Sequence, residues 1–408
     1  MLAAFTNVRT FLLAIFLIMA GSGFLSTLIA IRLEREGTST LAIGLVGTAY
    51  FAGLTIGSLR ASRLIAEIGH VRSFAVFVST FSASSLAYAI QQNVPYWMLL
   101  RFIDGFVVSG VYICLESWLN EQADHKSRSS VLAGYMVALY TGQALGQFLL
   151  TAGRDAPALP FMFSAILLSL AALPVLLTQV AQPRIEGMKA MSVKRLYDLS
   201  PLGVVGTVTT GVMLGAFYAL GAVFVRQLGM SLAQVALFTS CAIAGGVVLQ
   251  WPLGMLSDRF DRRRVIVACF AMAVAVCAVI AFNSAPGPHL FALGALFGGT
   301  AFALYPLCVA HSNDQLRTDE RVSASGGLVL SYSAGAMVGP MVGSAGMAAF
   351  GPAGLYGAIG ATALLTFVFG VWRLFAGDIV PSGDQQAFQT MARTTAISAQ
   401  VQPDESET

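Results

Sequence analysis

Arg101 and Asp104 stand three residues apart inside a run, 96–118, that is otherwise largely apolar. On a helix that spacing sets the two side chains on one face, so each charge offsets part of the other's cost where water is excluded. Such a pair can take up and release a proton, or hold a polar group of a solute. Tyr112 and Glu116 follow on the same run, about three turns beyond Asp104; a carboxylate there is either a second proton site or a solvated helix end. His311, beside Asn313 at the close of run 289–310, poses the same choice with a side chain that titrates near neutrality. Gln143 and Gln147 bring polar amides into run 129–152. A separate group comprises Gly254, Asp258, Arg259, Arg262 and Arg263. An Asp at a helix end can accept hydrogen bonds from an adjacent helix N-terminus and pair with nearby arginines, latching one conformation. The alternative for those arginines is contact with anionic lipid.

The chain that must position these residues is built for a membrane. Of its 408 residues 56% are hydrophobic and 11% charged, against about 25% charged in a soluble domain, and its mean hydropathy is +0.75. A spanning helix needs about 20 apolar residues. Runs of that length lie near 11–31, 41–61, 73–92, 96–118, 129–152, 160–180, 201–225, 232–256, 264–284, 289–310, 322–348 and 352–375. They are continuously apolar rather than alternating, which favours helices over a barrel. The expectation is an all-α membrane protein with twelve transmembrane helices and no large soluble domain.

Charge sets the orientation. Basic residues gather in the ends and alternate connectors, such as Arg60, Arg63 and Arg72, Lys126 and Arg128, Lys194 and Arg195, and Arg262 to Arg264. Arg32, Arg35, Arg154 and Arg226 fall on the other side. This bias places both termini in the cytoplasm. The same dispersion argues against nucleic acid as a partner despite a net charge of +3. The five cysteines lie inside apolar runs without a CxxC pattern, so no disulfide framework follows. No His/Cys cluster with metal-ligand spacing and no Gly-Lys-Ser/Thr phosphate loop is found, so neither metal nor cofactor is expected.

The sequence also repeats itself. Asn120-Glu121-Gln122 precedes Arg128, Ser130, Gly134, Gly142 and Gly146; Asn313-Asp314-Gln315 precedes Arg321, Ser323, Gly327, Gly335 and Gly339 at one constant offset of nearly half the chain. Residues 62–71 and 254–263 echo each other in almost the same frame. Two like halves follow, 1–180 and 200–376, joined by a basic linker 181–199 and ending in a polar tail 377–408 whose composition predicts disorder. Gly142, Gly146, Gly335 and Gly339, with Pro340 after the last, have the four-residue spacing that lets helices approach closely.

Six and six spans, a basic middle loop and paired connector motifs resemble the major facilitator superfamily. Its connector motif, roughly Gly-x-Leu-Ala-Asp-Arg-x-Gly-Arg-Lys, is similar to Gly254-x-Leu256-Ser257-Asp258-Arg259-x-Asp261-Arg262-Arg263; the first copy keeps Leu64, Gly69 and Arg72 but has Ala66 and Glu67 where Asp and Arg stand. Arg101 before Gly105 resembles the family's fourth-helix motif, associated with proton coupling. The antiporter motif, Gly-x-x-x-Gly-Pro-x-x-Gly-Gly, is matched on the second half at Gly335, Gly339, Pro340 and Gly343, whereas Gln147 replaces the Pro on the first half. Arg63 to Arg72 and Tyr305 to Asp314 look most like the YcaD-like bacterial branch.

The resemblance implies a monomeric, non-enzymatic transporter of the bacterial inner membrane, rocking its halves about a midplane site. A small organic solute and protons are the implied partners, besides the bilayer. Export is favoured because few charges lie in the spans. Uptake by symport or uniport keeps the same fold, and a receptor or envelope-assembly partner without transport keeps it as well.

Overall fold

The computed structural model describes residues 2–122, 128–153, 156–178, 183, 190–317, 320–376, 385, 386 and 388. These are helical nearly throughout: α1 Leu2–Ser22, α2 Leu25–Arg35, α3 Thr40–Ile68, α4 His70–Ala87, α5 Val94–Gln122, α6 Arg128–Gly146, α7 Leu159–Leu176, α8 Val193–Leu199, α9 Pro201–Gln227, α10 Leu232–Arg259, α11 Arg262–Phe282, α12 His289–Asn313, α13 Arg321–Phe350 and α14 Gly354–Ala376. Each of the twelve predicted runs contains helix among its described residues. Ten helical stretches among the described residues are long and apolar enough to cross a membrane. The other two positions are α4, diluted by His70, Arg72 and several serines, and α6, which tightens into a 3-10 helix over Gln147–Gly153.

Local chemistry places the boundaries. Gly37, Gly69, Gly229 and Gly351 take positive φ in connectors, where a side chain would be strained. Ser231 and Gln234 form a reciprocal capping box at the start of α10, and Asp261 caps α11 by accepting the Arg263 N–H at 3.0 Å. The run 11–31 holds a break: α1 ends at Ser22 and α2 begins at Leu25. Linker 181–199 contains α8, begun by the Ser192 hydroxyl, and the Met191 N–H donates to Ser323 O at 2.8 Å.

Two compact units result, one of Met1–Leu25 with Ala49–Lys189 and one of Ser26–Thr48 with Ala190–Thr390. The second unit takes up α2 and the start of α3 in addition to the second half. Packing explains this: a Cβ on Gly44 would lie 2.8 Å from Pro340 O, one on Gly47 2.7 Å from the Ala219 Cβ, and the Thr48 hydroxyl donates to Met337 O at 3.1 Å.

Each unit has an aromatic core. In the first, Trp118 stacks on Phe11 with centroids 5.4 Å apart and meets Phe74 edge-on. In the second, Tyr356 packs edge-on against Phe224 and Phe297. Large apolar side chains such as Leu177, Phe282 and Phe375 are exposed, as suits helices facing acyl chains.

Candidate functional site

Arg101 and Asp104 lie on α5 and are both buried. Asp104 is completely enclosed and accepts from two hydroxyls, Ser84 Oγ on Oδ1 and Tyr88 OH on Oδ2, each at 2.6 Å. Arg101 Nη1 is 3.6 Å from Oδ2, and the guanidinium lies 4.1 Å from the centre of the Tyr50 ring. Three helices thus build the site: α5 the charges, α4 and its last turn the hydroxyls, α3 the ring. Gly53 and Gly105 bring Tyr50 close. A Cβ at either would fall under 3.0 Å from backbone of the other helix, at Phe102 O or Tyr50 O. Tyr88 is held between the Trp97 and Phe161 rings, which fix its hydroxyl's aim.

This arrangement serves an ionised carboxylate. Two short hydroxyl donors and a guanidinium offset the cost of the buried charge, and a cation over an aromatic face lowers the cost of Arg101. Protonation of Asp104 would turn an acceptor into a donor, so one hydroxyl must rotate and the hold on Arg101 weakens.

Glu116 is buried on α5 about 18 Å along the helix from Asp104, by helical rise. It accepts from the Tyr135 hydroxyl at 3.1 Å, so the structure does not make it a solvated helix end. Tyr112 directs its hydroxyl to Met19 Sδ at 3.4 Å. Gln147 Nε2 donates to Gly23 O at 3.0 Å, and Gln143 lies against the same glycine. Those amides sit at the break between α1 and α2, where helix hydrogen bonding is interrupted and a carbonyl needs a donor. Tyr135→Phe removes a donor from a buried carboxylate and is expected to cost about 1–3 kcal/mol, read as a lower unfolding midpoint in detergent. An unchanged midpoint would show that Glu116 does not depend on this bond.

In the second unit Arg262, the first residue of α11, is fully buried. Its Nη1 donates to Asp314 Oδ2 at 2.6 Å and its Nη2 to Asp258 Oδ1 at 2.9 Å. Of the two kinds of partner expected for Asp258, a helix N-terminus and neighbouring arginines, the Arg262 side chain is present, and the Phe388 N–H joins it at 2.9 Å. Burial pushes the Asp314 carboxyl up, with Arg262 pulling the other way. Burial also acts to raise Asp261, but hydrogen bonds from Arg263 outweigh it and hold the group low. His311 is buried near this region, its Nε2 3.5 Å from Gln315 Nε2. Gly254 is buried; Arg259 is exposed. In the first unit Arg72 is exposed and Gly69 turns the chain between α3 and α4.

Arg101 and Asp104 therefore share one cluster, Tyr112, Glu116, Gln143 and Gln147 lie elsewhere in the same unit, and His311 belongs to the other unit. Sequence reasoning did not find Tyr50, Ser84, Tyr88 or Tyr135. It met Asp314 as the repeat of Glu121 and at the end of the Tyr305 to Asp314 stretch, without a role, and that recurring acid was the available signal.

Gly142 and Gly146 face Phe16 O and Ala20 O of α1, and Gly335 and Gly339 face Val208 O and Val212 O of α9. A Cβ at any of the four would fall under 3.0 Å from those atoms. Pro340 lies next to Gly47.

Comparison with known proteins agrees with this architecture. The sequence pattern of the Major Facilitator Superfamily matches residues 11–193 and 202–400. The uncharacterized MFS-type transporter YcaD of Escherichia fergusonii is 31% identical over 321 residues, 78% of this chain and 82% of the relative. YcaD of Salmonella arizonae is 29% identical over 337 residues, 82% and 87% of the two chains. Among solved structures, the nucleoside transporter NupG aligns with a TM-score of 0.72 at 13% identity, over 92% of this chain and 98% of its own. A bacterial homologue of the human lysosomal transporter Spinster, inward-facing and unoccupied, gives 0.72 at 15% identity over 94% and 98%. Likeness at such identity concerns the fold. The pattern spans both halves, and the sequence relatives cover most of the chain: it belongs to the Major Facilitator Superfamily.

Proposed function

We propose that the chain is a proton-coupled secondary transporter of a small organic solute, working as an exporter in the bacterial inner membrane with both termini cytoplasmic. The observation that carries this reading is the enclosed Asp104, ion-paired to Arg101 and held by Ser84 and Tyr88 in the middle of an apolar helix. Intramembrane charge of this kind is costly and is retained where its protonation does something. Protonating Asp104 weakens the hold on Arg101, so proton occupancy biases the position of a cation and of the α3 ring beneath it. A solute that favours one of the two arrangements is then linked to the proton. Export is favoured over uptake because, besides Arg101, Asp104 and Glu116 of the first unit, the buried polar groups named on the spans are mainly hydroxyls and amides, such as Thr207, Thr210, Thr239 and Gln250 of the second, with little further charge to select an ionised nutrient. The chain is taken to act as a monomer, with the Asp258, Arg262 and Asp314 cluster as a latch on the second unit.

The test is proton movement in proteoliposomes on addition of a panel of solutes, wild type against Asp104→Asn. Solute-dependent proton flux reduced at least about tenfold, with solute binding retained, is expected. Full coupled flux in the variant would move the proton site away from Asp104, with Glu116 on the same helix the next to test. Solute accumulation with the gradient, rather than against the exporting direction, would replace export by symport.

A further inference from the structure

The Asp258–Arg262–Asp314 cluster has an occupant that its arginine and carboxylates do not account for. Arg262 Nη2 also donates to Gln386 O at 2.6 Å, the Gln386 N–H donates to Asp314 Oδ1 at 3.0 Å, and the Phe388 N–H donates to Asp258 Oδ1 at 2.9 Å. All three are backbone groups of the C-terminal region. Residues 386 and 388 are two apart and both turn their amides to the cluster, as alternate residues of an extended chain do. The N–H and C=O of Gln386 meet an acceptor and a donor at once, the pairing that a neighbouring strand would otherwise provide. Here a carboxylate and a guanidinium provide it.

Register comes from a side chain. The Phe388 ring lies on Gly254, where a Cβ would come under 3.0 Å from three ring carbons. Gly254 is buried on α10 one turn before Asp258. The glycine therefore opens a seat for the ring at the step that also sets Asp258 against the Phe388 amide. Extended, the sequence from Ala376 to Gln385 reaches up to about 30 Å, so the segment stays at high effective concentration near the end of α10 even when undocked.

We infer that this cluster is the docking site of the chain's own C-terminal region through Gln386 and Phe388, and that docking is a reversible clamp on the ends of α10, α11 and α12. The segment touches all three ends: Gly254 and Asp258 on α10, Arg262 on α11, and Asp314 just past α12. Docked, it donates to one oxygen of each carboxylate. Released, it leaves Arg262 alone to hold Asp258 and Asp314, and the three ends gain freedom to shift. Recognition of Gln386 is through its backbone alone, whereas Phe388 is held by its ring as well.

Amide hydrogen exchange on the full chain in nanodiscs tests this without any solute, so its outcome is independent of the transport reading. The amides of Gln386 and Phe388 are expected to exchange at least about tenfold more slowly than in a free peptide of residues 380–392. Phe388→Ala and Asp258→Ala should each return both to the peptide rate, since the first removes the ring seated on Gly254 and the second the acceptor of the Phe388 N–H; the first variant alters no helix. In a chain ending at Ala376, amides near residues 254–262 and 312–316 should exchange at least about threefold faster, and adding the peptide should restore them. Peptide-like exchange of both amides in the wild type would overturn the docking. Unchanged exchange at the helix ends after truncation would overturn the clamp.

Discussion

Asp104→Ala is expected to destabilise the protein by about 3–5 kcal/mol, more than Asp104→Asn, because it removes one partner of a buried ion pair and leaves the other's charge uncompensated. Asp104 is fully enclosed and Arg101 is 3% exposed, so solvent cannot take over from the lost carboxylate. The hydroxyls of Ser84 and Tyr88 lose their acceptors in the same step, each aimed from 2.6 Å. Asn keeps a carbonyl for one of those donors and nearly the same volume, so its loss is smaller. Arg101→Leu is expected to cost a similar amount for the converse reason. Combining Arg101→Leu with Asp104→Ala removes both charges, and the double variant should recover at least about 2 kcal/mol of the summed single losses. Unfolding midpoints in detergent, with denaturant titrations for free energies, provide the measurement. Losses that simply add would mean that the pair is not an energetic unit and that the 3.6 Å approach of Arg101 is incidental.

Much of this site was visible before any coordinates, and the reason is spacing. Arg101 and Asp104 are on one helix, so their mutual reach follows from helical period alone. Tyr50, Ser84 and Tyr88 are on other elements, and hydroxyls are common in spans; which of them meets Asp104 depends on how α3 and α4 pack on α5. The helices themselves were legible because continuous apolar runs leave the backbone no other way to pair its polar groups. The break between α1 and α2 was not. Gly21-Ser22-Gly23 interrupts the apolar side chains only briefly, and glycines are common in spans, so the break becomes specific when the Gln147 amide is found on the Gly23 carbonyl. Asp258 and Arg262 were legible as a pair four residues apart. Asp314 completes their cluster from another helix, and the backbone of residues 386 and 388 joins it from a tail whose composition predicts disorder. Composition reports that a segment cannot form its own core; it does not report a site elsewhere in the chain that receives its backbone.

Gly335→Ala is expected to cost more than about 3 kcal/mol, and Gly335→Leu to yield no monodisperse protein, because the obstacle is backbone and not a side chain that can turn away. A Cβ at Gly335 falls under 3.0 Å from Val208 O and the Val208 carbonyl carbon, and one at Gly339 does so from Val212 O and Ala216 N. The contact is reciprocal: Gly211 and Gly215 on α9 face Tyr332 O and Ala336 O on α13 in the same way. Relief would require the two helices to part over two turns, losing their packing on both sides. The internal repeat supplies its own control. Gly142 and Gly146 meet Phe16 O and Ala20 O of α1 as Gly335 and Gly339 meet α9, so Gly142→Ala should be comparably severe. Gly134, in the same repeated frame, has only Leu12 side-chain carbons at 3.5 Å and beyond. Gly134→Ala should therefore be neutral, or stabilising by up to about 1 kcal/mol through helix propensity. Size-exclusion profiles and unfolding midpoints of the three alanine variants give the comparison. Equal tolerance at 134, 142 and 335 would remove close helix approach as the reason for the repeated glycines, whereas loss at 142 and 335 alone would make it the physical content of the duplication.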